Sequence, residues 1–393
     1  MFDPNEIRSS AFASLPDAAR LAALNRQLAY AAARSPYYRE SLGDAAPLPS
    51  LSALSRLPFL TADTLRAQGR RLVCVPASEI ARIVSLRTSG TSGEAKRLYF
   101  TRGDLERTVT FFAEGMAWMT APGDRVAVLM PCTAPDGIGD LLCRALRRLG
   151  AEPLPVGMRS DLATAGRELL RSRPQVLVGF PWQVRLLALL YPELRPRAAL
   201  LSADYVPATL PELLRTRWGC AAPVHFGMTE TGYGCAVEHP CAPGMVLRAD
   251  ELLAEIVAPD SGAPLPPGLA GELVLTTLRR EAMPLVRYRT GDLAEMDAAG
   301  RITRVLGRIG VPAQFYTLQD RLCALPWLYD YAVRDGRLFA LVSAEAPPDS
   351  RELLSAAAGG AETELCTVPS SAAALLQSGK RAGGALRNMH GDP

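Results

Sequence analysis

Histidine is scarce, with only His225, His239 and His390 in 393 residues. That leaves little room for a His-rich metal site or a serine-hydrolase triad, and neither a Gly-x-Ser-x-Gly elbow nor a His-Glu-x-x-His pair is present. The eight cysteines are scattered without a Cys-x-x-Cys pair, so they read as small buried hydrophobes or free thiols. No apolar run reaches the roughly 18 to 20 residues needed to cross a bilayer. The opening MFDPNEIRSS lacks the basic-then-apolar layout of a signal peptide, and the cytoplasm is the expected compartment. Charge of one sign is missing too: 43 Lys and Arg face 40 Asp and Glu, a net of +3 spread along the chain. A nucleic-acid partner would call for a concentrated basic face, and none is expected. Arg144, Arg147 and Arg148 instead read as the solvated side of one helix.

What is present is a globular composition, 48% hydrophobic, enough for a large core without disulfides or metals. No internal repeat is visible. Residues 16–34 predict an amphipathic helix with Leu21, Leu24 and Leu28 on one face, stopped by Pro36. Between 104 and 226, strand candidates (126–130, 176–180, 198–201, 224–226) alternate with helix candidates (104–119, 138–149, 161–172, 182–191, 208–217). Gly150 is suited to close the second of these helices. This alternation predicts βαβ units and a mostly parallel, doubly covered sheet. Short strands at 251–257, 272–278 and 302–305 predict a β-rich subdomain. Beyond Gly310 the texture predicts a small α+β domain, with a joint near 308–311.

Three strings carry candidate chemistry. In Leu86-Arg-Thr-Ser-Gly-Thr-Ser-Gly-Glu-Ala-Lys96, Gly90 and Gly93 let backbone N–H groups turn toward phosphate oxygens. Thr88, Ser89, Thr91 and Ser92 add hydroxyls, and Lys96 a charge. It is not a Walker A loop, because Ala95 and Arg97 flank the lysine. By composition it is equally an exposed flexible loop. The second string, His225-Phe-Gly-Met-Thr-Glu-Thr-Gly232, follows a predicted strand. Phe226 offers a face for a purine, Thr229 a phosphate donor and Glu230 an oxygen ligand for Mg²⁺; an ordinary strand-to-loop turn would look alike. In the third, Tyr288-Arg-Thr-Gly-Asp-Leu293 followed by Arg301–Arg308, Asp292 can accept from a ribose diol and Arg308 can reach a ribose or phosphate oxygen. A tight turn that satisfies Asp292 locally is the alternative.

Taken in order, and with Ser378-Gly-Lys380 near the end, these strings resemble the adenylate-forming (ANL) superfamily, most closely its phenylacetate–CoA-ligase-like branch. ARSPYYRE (33–40), LPFLTADTLR (57–66) and LTTLRREAMPLVRYRTGDL (275–293) extend the resemblance, which covers about 30–308 and is much poorer over 311–375. It implies a large N-terminal adenylate-forming domain, 1–308, of α/β class with βαβ sheets and a β-rich subdomain. A small, mobile, shortened α+β lid would follow at 309–393. The implied reaction joins a carboxylic acid to ATP with loss of pyrophosphate, then passes the acyl group to the thiol of coenzyme A. A carrier-protein thiol or a cofactor as acceptor, or a decayed nucleotide-binding relative, are the alternatives.

The resemblance assigns the 88–96 loop to the β- and γ-phosphates, Thr229 to the α-phosphate and Glu230 to Mg²⁺. Phe226 and Gly227, with Ser202, Ala203 and Asp204, would frame the adenine, Asp292 and Arg308 would hold the ribose, and Lys380 would bridge carboxylate and phosphate. Gly179, Phe180 and Pro181, with 225–234 (His225, Gly232 and Tyr233 among them), would wall an aromatic or other apolar acid. His225 as a base for the thiol is an open thought, a hydrogen-bonding wall being the plainer role. Gly310 stands where many relatives carry an acidic hinge residue, and could still serve a domain rotation. Zinc is not expected: Cys235, His239 and Cys241 could ligate, but Val246 holds a ligand position of some relatives and no fourth ligand is evident. A homodimer stays open.

Overall fold

The computed structural model describes residues 15–43, 47–86, 95–159 and 161–369. The first stretch of chain holds α1 (Asp17–Arg34), α2 (Pro36–Leu42), α3 (Ala62–Gln68), β1 (Ile80–Leu86), β2 (Lys96–Thr101) and α4 (Arg102–Ala117). Next come β3 (Arg125–Val128), α5 (Ile138–Arg148), β4 (Glu152–Leu154), α6 (Leu162–Ser172) and β5 (Val176–Gly179). They are followed by α7 (Pro181–Leu190), β6 (Ala198–Ser202), α8 (Leu210–Trp218) and β7 (Val224–Phe226). Then run β8 (Ala236–His239), β9 (Ala242–Leu247), β10 (Leu252–Val257), β11 (Gly271–Thr277), β12 (Tyr288–Met296) and β13 (Ile302–Arg308). The last are α9 (Ala313–Cys323), β14 (Leu328–Arg334), β15 (Arg337–Ser343), α10 (Ser350–Ala357) and β16 (Thr363–Val368).

The described residues form two compact units, one within 15–115 and 226–309, the other within 116–225 and 310–369. The chain passes from one unit to the other at 115/116, 225/226 and 309/310.

In the first unit, β10-β11-β12-β13-β9-β8 form an antiparallel run, and β1 pairs antiparallel with β2 across the 87–94 connection. Pro36 has a double role: α1 ends at Arg34, and Pro36 then starts α2 as its first residue, with the Ser35 hydroxyl accepting from Tyr38 N–H at 3.2 Å. The YRTGDL string lies in strand β12, where a tight turn was the alternative reading. Asp104 is sealed in this unit and accepts from the backbone N–H groups of Thr101, Glu281 and Ala282, tying α4 to the segment that precedes β12.

In the second unit the parallel strands run β4-β3-β5-β6-β7. Strands β5 and β6 are buried along their whole length, which is why they read as short continuous apolar runs in the sequence. Helix α5 turns Leu141, Leu142, Ala145 and Leu146 inward and leaves Arg147 and Arg148 exposed; Gly150, at φ +73°, ends it in the left-handed region. A small sheet, β14-β15-β16, follows near the C-terminal end of the described chain. Its residues do not close a core of their own: Leu322, Leu328, Tyr331 and Leu338 share one cluster with Leu177, Leu187 and Leu201. The Arg185 guanidinium of α7, fully buried, donates to the carbonyls of Cys323, Leu325 and Leu328 and stacks on Trp182 at 4.8 Å. Arg185 therefore supplies partners for carbonyls at the end of α9 and the turn after it, groups that a helix end leaves unsatisfied.

Candidate functional site

The Met228–Tyr233 turn organises the first unit's site. Thr229–Thr231 make one 3₁₀ turn, after which Gly232 and Tyr233 both take positive φ, +82° and +72°. A Cβ on Gly232 would also come within 2.9 Å of Thr108 Oγ1 and 3.0 Å of Arg280 Nη1, so glycine is required there twice over. Three contacts hold the turn. Thr108 donates to the Gly232 carbonyl at 2.8 Å, and Arg280 donates to the Glu230 carbonyl at 2.9 Å from above the Phe100 ring. The Tyr233 ring stacks on the other partner of that pair, Phe100, with centroids 6.4 Å apart.

On this frame the Glu230 carboxylate, 7% exposed, forms an ion pair with Lys96 and accepts from the Tyr288 hydroxyl at 3.1 Å. Burial pushes the Glu230 carboxyl up, but the Lys96 charge and these hydrogen bonds outweigh it and hold the group below the usual carboxylate range. Tyr288 moves the other way: burial first, then the Glu230 charge, raise it far above the ordinary phenol, so it stays a donor. Lys96 opens β2, shortly after Thr88, Ser89, Gly90, Thr91, Ser92 and Gly93 in the sequence. Those six residues, like Lys380, lie outside the described residues.

Asp292 and Arg308 are register partners on β12 and β13 and pair with each other at 3.1 Å. Asp292 is buried, whereas Arg308 is half exposed and also donates to the Thr290 carbonyl. Gly291, at φ +75°, turns the strand just before Asp292. Both charges act on Tyr288, which places this pair within electrostatic reach of the Glu230 cluster.

In the second unit, Ser202 ends β6 and shares a 2.8 Å hydrogen bond with His225 Nδ1. Burial pushes His225 down to about 4, so the imidazole is neutral near pH 7 and a weak base. Ala203 follows at φ +71°, a strained conformation for a residue with a Cβ, and Asp204 accepts from Tyr205 N–H at 2.8 Å. Gly179 ends β5 where a Cβ would press on Leu129 and Val184 at 3.0 Å; Phe180 caps α7 and Pro181 begins it. Phe226 and Gly227 lead from β7 into the Met228–Tyr233 turn.

Sequence reasoning missed Tyr288, Arg280 and Asp104. Tyr288 and Arg280 stood inside the quoted 275–293 string, but Arg280 lies between Arg279 and Glu281 and Tyr288 between Arg287 and Arg289, so no local pattern singled either out. Among the described residues, no three His, Cys, Asp or Glu side chains converge as a metal cage. Cys235 is buried against the Thr231 hydroxyl, while Cys241 is exposed and donates its backbone N–H to His239 Nδ1. A single ionised carboxylate such as Glu230 does fit the way Mg²⁺ is commonly held, by one or two carboxylates together with substrate phosphates.

No protein-family model matches the chain. It is 32% identical over 290 residues to a phenylacetate–coenzyme A ligase of Thermus thermophilus, a match covering 69% of this chain and 63% of the relative. With the phenylacetate–coenzyme A ligase of Escherichia coli it shares 28% over 293 residues, 70% of this chain and 66% of that one. The chain thus spans less than two thirds of either curated relative. Its fold matches a crystal structure of 2-hydroxyisobutyryl-CoA ligase in the postadenylation state, with a TM-score of 0.72, 19% identity, and 91% and 86% of the two chains covered. These likenesses define the class as the α/β fold of adenylate-forming CoA ligases. In sequence the chain is similar to the phenylacetate–CoA-ligase-like branch of the adenylate-forming superfamily. Among the described residues, no helix is long and apolar enough to cross a membrane.

Proposed function

We propose that the protein activates a carboxylic acid with ATP and transfers the acyl group to coenzyme A. In the first step an acid oxygen attacks the α-phosphorus, the bond to the β-phosphate breaks, and pyrophosphate leaves an acyl-AMP. In the second the thiol sulfur attacks the acyl carbon, its proton is lost, and AMP departs. A carboxylate is ionised at neutral pH, so the first step needs positioning and charge neutralisation rather than a base.

The observation that carries this reading is the Lys96–Glu230–Tyr288 cluster, a preformed pair of opposite charges whose lysine follows the Ser/Thr/Gly string in the sequence. Lys96 turns from Glu230 to the β- and γ-phosphates, while Tyr288 keeps the freed carboxylate oriented. Glu230 would hold Mg²⁺, which when bound neutralises charge on the phosphate oxygens. Thr229 donates to the α-phosphate, and Asp292 accepts from the ribose, with Arg308 beside it. Lys380 brings a further charge to the acid and phosphate oxygens. The acid's body lies against Gly179, Phe180 and Pro181, which favours an aromatic or other apolar acid.

The test is incubation with ATP, Mg²⁺, coenzyme A and a panel of acids, with AMP and thioester measured together. Release of AMP matched by an acyl-CoA is expected. AMP release that needs a phosphopantetheine-loaded carrier instead would replace the acceptor, and ADP as the product would overturn the reading.

A further inference from the structure

The order β4-β3-β5-β6-β7 means that the chain leaves β3 on one side for β4 and returns on the other side to β5. In open parallel sheets, ligands bind beyond the carboxyl ends of the strands where the order reverses, here between β3 and β5. Strand β5 ends at Gly179 and leads through Phe180 into α7. On the first turn of that ten-residue helix sits Gln183, 3% exposed. Neither its Oε1 nor its Nε2 has a hydrogen-bond partner among the described residues. Its neighbour Trp182 is satisfied, donating its indole N–H to Gln319 Oε1 at 3.2 Å.

A carboxamide sealed from water with both polar atoms unmatched destabilises a fold, and a methionine of similar shape would not. Such a group in a native protein requires an explanation, and a bound polar occupant is one that also accounts for its retention. We propose that Gln183 is a specificity-determining residue for the acid: its carboxamide pairs with a hydroxyl or primary amide on the body of the substrate. This rests on the placement of the acid beside Gly179, Phe180 and Pro181 proposed above, and it narrows the substrate from an apolar acid to a polar-substituted one. The chemistry of the amide limits the choice. A hydroxyl or an amide both donates and accepts, so it matches Oε1 and Nε2 together. A carboxylate substituent only accepts and an ammonium only donates, so each leaves one atom unmatched.

The experiment measures acid-dependent exchange of labelled pyrophosphate into ATP. The probes are ortho, meta and para hydroxy- and carbamoyl-phenylacetic acids, each against its methyl-substituted counterpart. The wild type is expected to favour one polar acid over its methyl counterpart by roughly 10-fold or more in kcat/KM. Gln183→Met should erase or invert that ratio while exchange with the methyl acid holds or rises. Gln183→Asn, which withdraws the amide by one methylene, should reduce the ratio part-way. Without any acid, Gln183→Met should melt at a higher temperature than the wild type, a readout independent of turnover. Preference for the methyl acid at every position, a ratio unmoved in Gln183→Met, or a lower melting temperature for that variant would each overturn the proposal. A wild type that exchanges with no acid at all would instead overturn the adenylation reading beneath it.

Discussion

Glu230 and Gln183 are almost equally hidden from solvent, yet they reach burial in opposite ways. Glu230 is surrounded by partners: Lys96 neutralises it, Tyr288 donates to it, and Arg280 holds its backbone. Gln183 has none among the described residues. Both arrangements suit binding, by different routes. A satisfied ion pair is stable without ligand and must be exchanged, so a phosphate with its metal can replace each half with a matching charge. An unsatisfied amide is unstable without ligand and gains most when a polar group arrives. The first kind of site fits a cosubstrate common to many reactions, the second the part of a substrate that distinguishes one acid from another.

The comparison can be broken most severely at the ion pair. Lys96→Ala and Glu230→Gln should each lower acid-dependent pyrophosphate exchange by roughly 100- to 1000-fold, the scale of losing one charged contact to the transition state. A change below threefold in correctly folded variants would remove the cluster from the reaction.

Arg185 provides a stability control within the second unit, since it is buried and fully engaged with carbonyls. Arg185→Met should cost about 3 kcal/mol or more in denaturant unfolding, because it strips partners from several buried carbonyls. Gln183→Met, by contrast, should not destabilise. Equal losses at the two positions would erase the distinction.

His225 sharpens the picture through pH. Its folded value is about 4 against 6.5 for the free side chain, so the unfolded chain takes up the proton first as pH falls. The stability it contributes is full above pH 6.5 and is lost as pH falls toward 4, by about 2 kcal/mol between 6.5 and 5. His225→Gln should flatten the melting temperature over that window; an unchanged slope would mean that the imidazole is not buried neutral. The smallest effect is expected at Asp292→Ala, about 10-fold weaker ATP binding from loss of one charged acceptor. Titration calorimetry checks it, and an unchanged Kd would sink the ribose role.

Local patterns made the parallel half of the fold legible. Strands buried on both faces show as short apolar runs, and α5 shows its solvated arginines. Strand β12 was obscured because Gly291 and Asp292 carry turn chemistry inside a strand that accommodates a positive φ. The shared core of 313–342 with α7 could not be read locally, since Leu322, Leu328 and Tyr331 find their partners more than a hundred residues away. At the site, Lys96, Glu230, Asp292 and Arg308 were visible as motif members. Their pairing with one another, and the burial that sets Gln183 apart, exist only once the chain is folded.

The most direct test of the central claim is exchange of labelled pyrophosphate into ATP with no thiol present, across aromatic, aliphatic and amino acids. The account predicts exchange that depends on one class of acid and disappears without it. An ATP-binding protein that shows no acid-dependent exchange across the whole panel would contradict it.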